Sequence, residues 1–203
     1  MELNIKKIFL ELKHHIPFTL IATLIAITSA IILYQITSSK IVPKIISLFY
    51  ILHPSHLFVS AIVTSAIFYK YKNNFLQAIL IGITGSIILG SLSDIIFPYL
   101  GGILFQLKTS FHLCVIEKPI LIISTALIGS IVGVATKFTK FPHFLHVFLS
   151  IFASLFYLLS FSVSLNLIPF TIIFLIIFIA VLIPCCISDI IFPLLFIKKA
   201  KKP

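Results

Sequence analysis

Two histidine pairs and two aspartates carry most of the chemistry this sequence offers. His53 and His56 form one His-x-x-His unit, and His143 and His146 form a second. Residues three apart on a helix share a face, so each pair can present two imidazoles to one ion. Asp94 and Asp189 stand in the same hexapeptide, Ser-Asp-Ile-Ile-Phe-Pro, at 93–98 and again at 188–193. An ionised aspartate at the centre of a membrane helix costs about 2.5–3.5 kcal/mol on insertion scales, so two of them in apolar surroundings need a reason. Two histidines and one carboxylate suit Zn²⁺, Mn²⁺ or Fe²⁺ with an open coordination position. The same groups also make a proton relay.

Serines extend the pattern. Ser60 and Thr64 follow His56 at helical spacing, and Ser150 and Ser154 follow His146 likewise, which draws a polar stripe along each helix. Ser93 and Ser188 precede the two aspartates. The expected ion-binding groups are therefore Asp94, Asp189, Ser93, Ser188, Ser60 and Ser150. The expected metal ligands or proton carriers are His53, His56, His143 and His146 with the two aspartates. Cys185 and Cys186, just before Asp189, are weaker candidates as soft donors. A divalent metal ion enters as substrate or ligand, and no resident cofactor is indicated. The plainer alternatives are that each aspartate caps a helix end and that the histidines bond to headgroups.

The elements that position these groups are membrane-grade. The chain of 203 residues is 60% hydrophobic and 10% charged, with a mean hydropathy of +1.24. A soluble domain of this length cannot bury so much apolar surface. The net charge of +10 comes from lysine alone. Those lysines sit as short punctuation between apolar runs, which argues for topology signals and against nucleic acid. About 20 apolar residues cross a bilayer core, which gives six expected spans: 17–36, 46–69, 75–99, 118–136, 143–162 and 167–196. The opening MELNIKKIFLELKHH resembles a signal-peptide n-region, but no small-residue cleavage site follows, so the first run reads as a retained span. With six spans, eleven lysines fall on the side of both termini and four on the other. The positive-inside rule then places both termini in the cytoplasm and the protein in the cell membrane. Glu117, beside Lys118, reads as a loop ion pair.

The hexapeptide is part of a longer internal match. LHPSHLFVSAIVTS (52–65) resembles FPHFLHVFLSIFAS (141–154), and each is followed by Ser-Asp-Ile-Ile-Phe-Pro some forty residues on. Pro17 and Pro119 align upstream. The chain therefore reads as two three-span repeats, 1–108 and 109–203. An odd number of spans per repeat threads the second copy in the opposite direction, as in many secondary transporters. This topology sets His53, His56 and Asp94 toward the outer face and His143, His146 and Asp189 toward the inner face, unless broken helices bring them to one midplane site. Both histidine pairs, flanked by Pro54 and Pro142, are expected at helix starts. The stretches around Asp94 and Asp189, with Pro98 and Pro193, are expected to break their helices. Gly129-x-x-x-Gly133 and the Gly82, Gly85, Ser86 cluster read as close helix packing.

The stretches HPSHLFVSAIVTS, TKFPHFLHVFLSIFAS and PCCISDIIFPLLF resemble those of a family of small prokaryotic six-span membrane proteins without an assigned activity. More distantly, a polar helix start followed by a Ser-Asp segment one span later is similar to ten-span heavy-metal exporters of the manganese and arsenic permease type. This chain is shorter and lacks their Pro-x-Cys-Gly element. The resemblance implies metal or ion transport. The expected protein is an all-α integral membrane protein with six transmembrane helices in two inverted three-helix repeats, a permease for a small ion and above all a divalent metal cation, with proton coupling. Its partners are the lipid bilayer and the ion, and a homodimer is compatible with the sequence. A metal-dependent membrane enzyme of the histidine-box type and a non-catalytic membrane subunit are the competing expectations. No His-Glu-x-x-His or Gly-x-Ser-x-Gly motif is present.

Overall fold

The computed structural model describes residues 5–36, 42–162, 170–186 and 192–196. Among these the chain is all-helical, apart from an isolated bridge between Thr109 and Ser162. The elements are α1 (Ile5–Ile36), α2 (Val42–Tyr71), α3 (Phe75–Ser91), a π-helical turn (Leu92–Ile96), α4 (Phe97–Leu104), α5 (Cys114–Glu117), α6 (Pro119–Thr136), α7 (Lys140–Phe161), α8 (Phe170–Cys186) and α9 (Phe192–Leu195). Long runs of Ile, Leu, Phe and Ala favour helix, and the polar turns between them carry the stop and start signals. Asn74 caps α3 by accepting the Gln77 amide at 3.0 Å. Pro119 opens α6, where a missing N–H costs nothing. Lys137, at φ 55°, ends α6 in the left-handed region.

Among the described residues, four helical stretches are long and apolar enough to cross a membrane: Ile45–Tyr71, Phe75–Leu104, Pro119–Thr136 and His143–Phe161. The apolar stretches Ile16–Ser29 of α1 and Thr171–Cys185 of α8 lie within the first and sixth expected spans. Large apolar side chains such as Leu104, Ile116 and Ile120 project outward from the packed helices. An apolar exterior around satisfied helical backbone supports a membrane protein.

Helix α2 is central and packs against α3, α6 and α7, while α8 packs against α1, α4 and α7. Small residues bring α2 close to α6. A Cβ on Gly129 would meet the Phe58 carbonyl oxygen, and one on Gly133 would meet that of Ile62. The glycine pair thus packs directly on the α2 backbone, as its spacing suggests. The register 58 to 129 and 62 to 133 also shows that α2 and α6 run parallel. By contrast α2 and α7 run antiparallel: Phe49 meets Tyr157 at a ring separation of 5.4 Å, and His56 meets His146 at 5.3 Å. One apolar core joins α1, α7 and α8 through Ala22, Ala26, Ile151, Ile177 and Val181. Another, around Phe49, Leu57, Ile95 and Tyr157, joins α2, α7 and the π-helical turn.

Three local expectations are corrected. His53 and Pro54 do not start a helix, because α2 begins at Val42 and carries Pro54 inside it. The preceding run is apolar and helix-forming, so the proline deletes one amide bond without ending the helix. The stretch around Asp94 is not broken either: α3 and α4 continue through the π-helical turn. Glu117 also differs from its expected pairing with Lys118. It accepts hydrogen bonds from Tyr50 Oη (2.6 Å) and His112 Nδ1 (2.9 Å), and Lys118 Nζ lies 3.8 Å from the centre of the Tyr50 ring. Burial pushes the Glu117 carboxyl up, but the bonds from Tyr50 and His112 and the nearby positive charge hold it below its ordinary value.

Two outcomes follow. Gly133→Ala must displace α2 backbone, whereas Gly101→Ala meets only the Ile176 side chain. Thermal unfolding in detergent is expected to register a loss of about 1–3 kcal/mol for the former, typical of overpacking, and a smaller loss for the latter. The lowered Glu117 pKa contributes stability above its ordinary value of about 4.5, and that contribution fades as pH falls through the lower folded value. Hydrogen-exchange protection across 105–118, taken relative to the intrinsic rate at each pH, is expected to fall on acidification below that point, and Glu117→Gln is expected to abolish this fall.

Candidate functional site

The site begins with a register change in a helix. In the π-helical turn the Phe97 amide bonds to the Leu92 carbonyl, five residues back. Pro98 has no amide to give. The Ser93 carbonyl is therefore left without a main-chain donor from residue 97 or 98. Ser154 Oγ, on α7, reaches it at 2.9 Å, with its one proton shared between this carbonyl and that of Ser150 at 2.8 Å. Ser93, Asp94 and Ile95 in the turn are all buried. Turns of this kind are frequent at functional sites.

Asp94 is fully buried, and four side chains approach its carboxylate. His53 Nδ1 and His56 Nδ1, from α2, lie 2.8 and 2.7 Å from Oδ2. Ser93 Oγ and Ser150 Oγ donate to Oδ1 at 2.8 and 2.7 Å. A carboxylate oxygen accepts, so each Nδ1 carries a proton, and in the neutral ring Nε2 presents a lone pair. Neither Nε2 of His53 nor that of His56 has a hydrogen-bond partner among the described residues. Phe49 stacks on the His53 ring at 5.6 Å and shields this end of the centre.

From His56 the polar groups continue toward α7 and α8. The His146 ring lies 5.3 Å from that of His56, and the His143 ring 5.6 Å from that of His146. Cys185 is buried alongside. Two trios hold donor atoms within 4.8 Å of one another: His53, His56 and Asp94, and His56, His146 and Cys185. His56 belongs to both.

The expected residues thus divide. His53, His56, Asp94, Ser93 and Ser150 form one hydrogen-bonded centre, and His146 and Cys185 adjoin it. His143 lies at its edge, half-buried. Ser60 is buried one turn along α2 and is not among the groups bonded to Asp94. Asp189 and Ser188 lie outside the described residues, as does the side chain of Cys186. The two histidine pairs do not face opposite sides of the protein, because antiparallel packing of α2 on α7 sets His56 and His146 at one level. Asp94 does not cap a helix end. The aromatic wall of Phe49 and Tyr157 gave no sign in the sequence, since apolar helices contain such residues everywhere.

No family model matches the chain, and no curated protein or solved structure is similar to it.

The Ser154 bond has a direct test. Ser154→Ala is expected to cost about 1–3 kcal/mol by orphaning a buried carbonyl. Pro98→Ala in that background restores an amide that can donate to Ser93, so the double variant is expected to recover part of the loss in thermal unfolding.

Proposed function

We propose that the chain is a membrane transporter that moves a small cation, with a divalent metal ion as cargo and protons as the counter-species. The observation that carries this is the fully buried Asp94, held by two histidines and two serines inside a helix of membrane-crossing length. Intramembrane ionisable groups of this kind mark ion pathways and proton relays. A centre made only for stability would gain more from apolar packing, since buried ionic groups are often neutral or costly to a fold.

The packing agrees with two inverted repeats of three spans. Exchanging α1, α2 and α3 for α6, α7 and α8 carries the α2–α3, α2–α6 and α3–α6 pairs onto α7–α8, α7–α1 and α8–α1, and all of these pack together. The central α2 and α7 would then be partners across a two-fold axis in the membrane plane, with His56 beside His146 near that axis. Repeats of this type can expose one central site to each side in turn. The convergence favours a single shared site over two opposed ones.

A histidine-box membrane enzyme is the second reading, favoured by the same convergence, because such enzymes need their ligands in one place. The full burial of His53, His56, His146 and Asp94 speaks for a small ion over an organic substrate.

Flux separates the two. Proteoliposomes loaded with a metal-sensitive dye would be challenged with Mn²⁺, Zn²⁺, Fe²⁺, Co²⁺ and Ni²⁺, with and without a pH gradient. Selective flux is expected for the wild type, with at least tenfold loss in the Asp94→Asn, Asp189→Asn double variant. Folded protein that binds metal without moving it would favour the enzyme.

A further inference from the structure

We propose that the cation is held by His56, His146 and Cys185, that this trio selects a borderline-to-soft ion of the Zn²⁺ class, and that Asp94 is a positioning residue behind His56. The word cargo rests on the transport reading; the binding centre does not.

The two trios that share His56 are not equivalent. In the first, Asp94 Oδ2 already lies at hydrogen-bond distance from both Nδ1 atoms. An ion placed there would have to replace two buried hydrogen bonds. In the second, an ion that takes His56 Nε2 keeps the Asp94–His56 bond, and this Nε2 is buried without a hydrogen-bond partner among the described residues. Carboxylate–imidazole–metal is the usual order in protein metal centres: the carboxylate fixes the tautomer and the ring orientation and raises the basicity of the ligand nitrogen.

The donor set then decides the ion. Two imidazoles and one thiolate suit Zn²⁺ and its softer neighbours and discriminate against Mg²⁺, Ca²⁺ and Mn²⁺, which prefer oxygen. Zinc–nitrogen and zinc–sulfur bonds of about 2.0 and 2.3 Å hold tetrahedral donors about 3.5 Å apart. The three donor atoms lie within 4.8 Å of one another, so side-chain adjustment of about 1 Å closes the trio around an ion of that size. Among the described residues the trio supplies three donors. The other described thiol, Cys114, is in neither trio: burial pushes it up to about 12, and it packs in the apolar cluster around Phe49 and Tyr157.

Co²⁺ is the probe, added to the purified full chain in detergent. The wild type is expected to give visible bands of a four-coordinate ion and a near-ultraviolet sulfur-to-cobalt charge-transfer band, both displaced by Zn²⁺. Cys185→Ser is expected to abolish the charge-transfer band, and Cys114→Ser to keep it. Should Cys185→Ser fail to fold by circular dichroism, Cys185→Ala answers the same question. Asp94→Asn is expected to weaken Co²⁺ binding about 10–100-fold while leaving the charge-transfer band in place at saturation, a signature that loss of folding would not produce. A folded wild type without the band, or a band that survives loss of the Cys185 thiol, overturns the proposal. The band in protein that moves no ion supports this centre and defeats only the transport reading. Flux of an ion without the band defeats this centre alone.

Discussion

A carboxylate sealed inside apolar helices must have its oxygens occupied, and this constraint organises the rest of the molecule. Asp94 meets it with two imidazoles on one oxygen and two hydroxyls on the other. No single helix supplies all four donors. Two come from α2, one from the π-helical turn itself and one from α7, so the three elements must meet at one level. Leaving any of them unsatisfied in this setting costs more than the bond itself is worth.

The register change in the third span belongs to the same solution. Asp94 and its neighbours are buried where the bonding pattern shifts, at Leu92–Ile96. The shift and Pro98 together strip the Ser93 carbonyl of a main-chain donor, and α7 returns one through Ser154. Helix α7 therefore serves the carboxylate through Ser150 and the backbone beneath it through Ser154, one turn apart. Close approach of the helices makes these short bonds geometrically available. The α2–α6 seam achieves it with Gly129 and Gly133 seated on carbonyl oxygens.

His56 links the structural role to the chemical one. Its Nδ1 belongs to Asp94, and it also shares a donor cluster with His146 of α7 and Cys185 of α8. In the proposed centre a proton and the cation would compete for its Nε2. A helix pair related by approximate two-fold exchange would let that ring stand at the centre of two alternately exposed half-channels.

Much of this was legible in the sequence, for a physical reason. Hydropathy and helical periodicity are local, so the apolar spans, the His-x-x-His pairs, the serine stripe, the buried aspartate and the glycine seam could all be read from spacing along the chain. The partners could not. Whether His56 meets His146 depends on α2 lying antiparallel against α7, which is a property of the packed helices and of neither one alone. The same holds for Glu117, whose carboxylate turns to Tyr50, 67 residues away in sequence, instead of to the lysine beside it. At Pro98 packing also contributes, because Ser154 of α7 brings a donor to the Ser93 carbonyl. The sequence alone determined an apolar helical chain with the residue types of an ion site. Only the tertiary structure decided that His56 and His146 come together, since that follows from distances between segments that no local pattern encodes.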